Sequence, residues 1–350
     1  MIVGVCGFGY TGSGALIDLL KGYDHINVFD KFEFSFIYSP DGIDDLRYHL
    51  VDNPTRYMSS DIAINRFIKY SQGKNLEICK FTNNKYLPAC NKFIDSLIQV
   101  KWRGYWMFDY FEGTFWEKNF NFRLFHARIL KLLSRKTNKT FDLPPVRNMY
   151  LSVDPNDFDV KAKQFVSEII QSINQNNEDV VVLNQPFRAN NPKKDFMYFD
   201  NPKAIIVDRD PRDLYVILKK IISYKCRFIP YNDVDSFIKY YEALHKGDFM
   251  NNSNNTLYIK FEDLIYDFDI TKSKIEKFLN IENSYSQSKS GFDPLVSIEN
   301  TCIYDKYPDL SEDVELIEQR LSTWLYDFEN KKIKPKGGKS YRELFELADK

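Results

Sequence analysis

At 350 residues the chain is long enough for one large α/β domain with an insertion, or for two domains, and its formal net charge of −1 rules out a global attraction to nucleic acid or to an anionic membrane; any basic site must be local. Five cysteines, odd in number and without a CxxC pair, indicate neither a disulfide framework nor a zinc knuckle. Aromatic residues make up 16% of the chain, which permits a large core or aromatic-lined surfaces without choosing between them.

Met1 to Cys6 (MIVGVC) is apolar, rich in β-branched residues and then broken by glycines, so a short buried strand is predicted there. The same run lacks the basic flank and the length of a secretory signal. No later segment approaches the roughly 18 apolar residues of a membrane span. A soluble, cytoplasmic protein is expected, with no integral membrane segment and no nucleic-acid partner. Gly12 to Leu20 is predicted as a helix that buries Leu16, Leu19 and Leu20 on one face. Strand, Gly-rich turn and helix together open a βαβ unit. A second strand is expected at INVFD, Ile26 to Asp30.

From about Asp44 to Gln175 helical periodicity dominates (SSDIAINRFIKYSQ, ACNKFIDSLIQV, VKAKQFVSEIIQSI), interrupted by the aromatic stretch RGYWMFDYFEGTFW and by a basic run, Lys131 to Lys139, read as a solvated helix face. The α/β rhythm returns with a strand in DVVVLNQPF, ended by Pro186, and another from Ala204 to Asp208. Pro211 suits the first turn of the helix that follows, where no N–H is needed. LYIKFEDL (Leu257 to Leu264) reads as a further strand running into a helical turn. Helices at about Lys272 to Leu279 and Glu312 to Phe328 precede a basic, Gly/Pro-broken tail. None of the four histidines sits in a motif with a carboxylate or cysteine partner, and no metal-ligand spacing is present.

The stretch GFGYTGSG carries the chemistry. Successive backbone N–H groups in a Gly-rich turn that leads into a helix form an anion site. The lysine of GxxxxGK[ST] is missing, because Gly12 is followed by Ser13 and Gly14, whereas GxGxxG does fit Gly7 to Gly12. Farther on, DRDPRDLYV offers an arginine at a strand end, a residue suited to bidentate capture of phosphate; the structural alternative is an Arg209–Asp213 or Arg212–Asp208 ion pair.

Taken in order, GFGYTGSGALIDLL, AIIVDRDPRDLYVI and YIKFEDLIYDFDITKSKIEKFLNI resemble the sulfotransferases that use 3′-phosphoadenosine-5′-phosphosulfate, over roughly residues 1–40 and 180–310. The resemblance implies an α/β fold with a mostly parallel sheet and helices on both faces, the core spanning 1–43 and 176–310. A helical insertion over 44–175 would then be a candidate acceptor-binding cap, and 311–350 a C-terminal helix and basic tail. It implies that Gly9, Tyr10, Thr11, Gly12, Ser13, Gly14 and Ala15 hold the 5′-phosphosulfate and that Arg209 meets the 3′-phosphate. The product would be adenosine 3′,5′-bisphosphate, with no metal required.

VFDKFEFSFIYSPDGIDDL is similar to the segment of carbohydrate sulfotransferases in which a glutamate deprotonates the acceptor hydroxyl, which would make Glu33 the catalytic base and a carbohydrate the acceptor. Sulfuryl transfer to an alcohol needs such a base, and flanking aromatics would desolvate it and raise its pKa. The chain departs from the family pattern at Tyr10, where a basic residue is usual, and at Ile217, where a serine is usual. The strand that carries a lysine in the family offers Asn184 and Gln185 here, with Arg188 as a replacement cation. A P-loop kinase or hydrolase, and a relative that binds nucleotide without turnover, remain the alternative readings. The oligomeric state is left open.

Overall fold

The computed structural model describes residues 1–54, 57–73, 75–106, 120–137, 147–223, 226, 228–247, 250–281 and 284–331. The chain divides into two compact units, Met1–Tyr38 with Phe81–Asn83 and Val166–Lys350, and Ser39–Lys80 with Asn84–Phe165.

The strands, in chain order, are β1 (Ile2–Gly7), β2 (Ile26–Phe29), β3 (Val100–Gly104), β4 (Arg147–Leu151), β5 (Val180–Asn184), β6 (Pro202–Asp208) and β7 (Thr256–Lys260). Among the described residues the first unit holds one five-stranded sheet in the order β2-β5-β1-β6-β7, and every pairing in it is parallel. Such sheets are covered on both sides, so their strands are almost continuously apolar. This explains why IVGVC and AIIV read as buried strands rather than alternating ones.

Side chains alternate across the sheet. Val3, Val5, Val182, Ile205, Val207, Leu257 and Ile259 point to one face, where they meet Leu16, Leu19 and Leu20 of helix α1 (Ser13–Leu20) and Ile275 and Leu279 of helix Phe268–Leu279. Toward the other face Val166 and Ile170, from the end of helix Phe158–Ile173, line a cavity with Ile2 and Val181. A separate apolar cluster joins helices Pro211–Val216, Val234–Leu244 and Ser311–Arg320 through Leu214, Phe237, Tyr241, Val314 and Ile317.

Local chemistry sets several boundaries. Pro211 opens its helix as expected, and Asp210 caps it by accepting from the Arg212 N–H at 2.9 Å. Helix Val234–Leu244 has no counterpart in the sequence reading, although Val234, Phe237, Ile238 and Tyr241 have helical spacing and Asp233 caps it through the Ser236 N–H. The last long helix stops at Arg320 instead of running to Phe328. There the backbone is taken by tertiary partners: the Tyr326 N–H donates to Asp210 at 2.7 Å, and the Trp324 carbonyl accepts from Lys260 at 2.5 Å.

The second unit is not wholly helical, because β3 and β4 pair antiparallel within it. Its organising polar residue is Asp61, fully buried on helix Tyr57–Gly73, which accepts from Trp106, Arg147 and the Tyr150 N–H at 2.7–3.1 Å. Phe67, Phe93 and Phe165 form its aromatic core. Residues 107–119, which include most of the aromatic stretch, lie outside the described residues, as do Lys139 and the tail beyond Lys331.

Candidate functional site

Open α/β sheets bind ligands beyond the carboxyl ends of their strands, where the chain switches direction across the sheet. Here the central strand β1 ends between β5 and β6, and the Gly-rich loop leaves from it. Gly9, Tyr10 and Gly12 all have positive φ, at 89°, 58° and 95°. Gln185, itself in a left-handed conformation at the end of β5, braces the loop on one side. Its side-chain oxygen accepts from the Gly7 N–H at 3.1 Å and its amide nitrogen donates to Ser13 Oγ at 3.5 Å.

Thr11 is an internal staple. Its hydroxyl donates to the Val207 carbonyl at 2.7 Å and accepts from the Phe8 N–H at 3.1 Å, and the residue is 1% exposed. Thr11 is among the residues expected to hold the phosphosulfate, but its hydroxyl proton goes to β6 instead. The Ala15 N–H also turns inward, to the Gly12 carbonyl at 3.0 Å. What the loop offers outward is the start of α1. Gly12 caps it without a side-chain bond, no acidic residue occupies the first turn, and Ser13 and Gly14 carry the first helical N–H groups. Around Gly14 the space is open, since an added β-carbon would meet nothing within 4 Å. Tyr10 stacks on Phe228 at 5.9 Å, and Phe228 is 65% exposed.

The second motif is buried. Asp208 gathers Tyr241, Tyr258 and His245 at 2.9–3.3 Å, with the Lys260 ammonium 3.7 Å away. Burial alone would raise its pKa, but Lys260 and His245 outweigh burial and hold it at about 2. His245 also stacks on Phe8 of the loop at 4.0 Å, so this histidine is a core element and not a free base. None of these Asp208 partners was anticipated as a site residue; their separation in sequence hides them.

Arg209, expected as a guanidinium presented over the carboxyl edge, is turned inward and is 2% exposed. It lies over the Phe261 ring, 4.6 Å from the centroid, and donates to the Asn300 carbonyl. Of the two ion pairs considered from sequence, Arg212 takes Asp210 in place of Asp208, while the Arg209 charge acts on Asp213. Arg212 forks onto Asp210 at 2.8–3.0 Å and reaches Glu318, while Asp213 accepts from the Ile303 N–H at 2.6 Å. Burial pushes the Asp213 carboxyl up to about 7, with Arg209 pulling it down and Asp210 pushing it further up. Glu262, also fully buried, is pushed up to about 8 by the same cause against the pull of Lys260.

The third motif ties the other two together. The Phe261 N–H donates to the Asp208 carbonyl at 2.7 Å, and the Asp210 N–H donates to Glu262 at 3.0 Å. The ring of Phe261 then separates Gly12 from Arg209.

Glu33 follows β2 at the same edge. The Phe34 N–H donates to the Asn184 carbonyl at 2.7 Å, which ties this segment to β5. Phe34 and Phe36 are buried but Glu33 is exposed, so the aromatics that were expected to desolvate it face the core instead. Its charge lies near Tyr38, whose hydroxyl donates to the Gln185 carbonyl at 3.1 Å. Arg188, considered as a replacement cation, is bound in a fork to the buried Asp195 at 2.8–3.2 Å. Ile217 is fully buried in the helix cluster.

A scan against protein-family models finds no match, and a search of curated proteins finds none either.

Proposed function

We propose that the chain transfers a sulfuryl group from 3′-phosphoadenosine-5′-phosphosulfate to a hydroxyl of a carbohydrate acceptor. The observation that carries this reading is the meeting of the three motifs at one sheet edge, with Phe261 packed against Gly12 on one side and Arg209 on the other. A helix start with no side-chain cap bond and no acidic residue in its first turn favours an anion at Ser13 and Gly14. The donor, when bound, supplies the activated sulfuryl group.

In this reading the Ser13 and Gly14 amides and the Ser13 hydroxyl hold the anionic end, and Gln185 keeps Ser13 oriented. Glu33 takes the acceptor proton at its exposed carboxylate, desolvated by the arriving acceptor rather than by its own neighbours. The 3′-phosphate end fits less well, because Arg209 is occupied below the surface by Phe261 and Asn300. Its part here is to hold the 208–213 turn in place.

A second reading, nucleotide binding without turnover, is favoured by Ile217 in the core and by the Arg188–Asp195 fork, which remove two phosphate-binding side chains. Transfer of radiolabelled sulfate from the donor to a panel of glycans separates the two, with thermal shifts by adenosine 3′,5′-bisphosphate, AMP and magnesium–ATP run in parallel. Labelled glycan with a bisphosphate shift supports the enzyme; a bisphosphate shift without labelled glycan supports the second reading. A shift with magnesium–ATP alone overturns both and points to a kinase or hydrolase.

A further inference from the structure

Helix Phe120–Thr137 carries Arg123, Arg128, Lys131, Arg135 and Lys136 and no acidic residue, in a chain whose net charge is −1. Phe125, Ile129, Leu132 and Leu133 recur at the spacing of one helical face, yet they are 61%, 37%, 58% and 42% exposed. His126, Ala127, Leu130 and Ser134, on a different face, are the half-buried ones. Arg128, Lys131 and Arg135, all exposed, form a stripe on the other flank of the apolar row. The helix therefore packs through one face and leaves a ridge of apolar side chains beside a ridge of cations.

Scattered exposed apolar residues need no explanation, but four on one face beside a cationic stripe do. The pairing matches the two layers of an anionic bilayer, with acyl chains for the apolar row and phosphate headgroups for the guanidinium and ammonium groups. An acidic protein partner would satisfy the charges without calling for a convex apolar ridge. No described helix is long and apolar enough to cross a membrane, so the helix would lie along the surface instead of spanning it.

We propose that helix Phe120–Thr137 docks this protein peripherally on an anionic lipid surface. The proposal does not depend on sulfuryl transfer, and the region involved belongs to the second unit.

The test is co-sedimentation of the full chain with vesicles of equal parts phosphatidylglycerol and phosphatidylcholine, and with phosphatidylcholine vesicles alone. Binding is expected to the anionic vesicles and to weaken with added salt. Arg128→Gln, Lys131→Gln and Arg135→Gln should each weaken it roughly fivefold, in line with about 1 kcal/mol for each basic residue near such a surface. Phe125→Ser with Leu132→Ser should abolish it, while an unchanged melting temperature shows that the fold survives. A Phe125→Trp variant provides a second readout, a blue shift of its fluorescence on anionic vesicles only. Failure of the parent chain to bind, binding that these substitutions leave intact, or self-association that Phe125→Ser with Leu132→Ser relieves without any vesicle binding would each overturn the proposal.

Discussion

A β-carbon placed on Gly12 would lie 2.5 Å from Cδ2 of Phe261, and the φ of Gly12 is 95°. The glycine that precedes α1 thus makes room for the strand-end aromatic of the third motif and not only for a ligand. Gly12→Val is consequently expected to destabilise the fold by several kcal/mol, because a branched side chain meets both a forbidden backbone region and an occupied space. Gly14→Val, at an open position, should leave the melting temperature within a few degrees and weaken nucleotide binding. A Gly12→Val protein that melts like the parent would contradict this packing, and undisturbed nucleotide binding by Gly14→Val would move the anion away from α1.

Arg209→Ala should cost about 3–5 kcal/mol, the range for removing one member of a buried charge group and leaving its partners uncompensated. Arg209→Lys is expected to recover only part of this, since an ammonium lacks the planar fork that both covers Phe261 and reaches the Asn300 carbonyl. Chemical denaturation of the three proteins gives the comparison. Equal stabilities would mean that the guanidinium is not confined as described.

Stability should fall as pH rises from about 5 to about 8. Asp213 and Glu262 have folded-state pKa values raised to about 7 and about 8, above those of free carboxyls. Their protonated forms therefore favour the folded state, fully so below the unfolded pKa, and this contribution is lost as pH climbs through the folded values. Asp208 works the other way: its depressed pKa of about 2 contributes stability that disappears only as pH falls toward that value. Melting curves across this range should show the decline in the parent and a flatter profile in Asp213→Asn with Glu262→Gln. An unchanged slope in the double variant would assign the pH dependence to other groups.

Glu33→Gln should reduce turnover by about 10²- to 10⁴-fold, the usual contribution of a general base. Because Glu33 is exposed and its neighbours Phe34 and Phe36 hold the segment in the core, neither folding nor nucleotide affinity should change much. Rates and binding measured side by side decide this. A variant with parental turnover would remove Glu33 from the reaction.

Much of the sheet edge was legible in the sequence because its signals are local. The apolar runs of β1 and β6, the glycines before α1, and Pro211 behind its Asp210 cap each act over a few residues, where backbone sterics and side-chain spacing leave few conformations open. The order β2-β5-β1-β6-β7 and the partners of polar side chains depend on residues brought from far along the chain. Nothing near Thr11 announces that its hydroxyl belongs to Val207, or near Arg209 that Phe261 and Asn300 enclose it. Glu33 and Phe34 are neighbours in sequence, yet one is exposed and the other buried, because strand β5 holds the Phe34 N–H through Asn184. Local spacing determines where strands and helices begin; long-range competition for hydrogen-bond partners and buried space decides which of their polar groups remain available to a ligand.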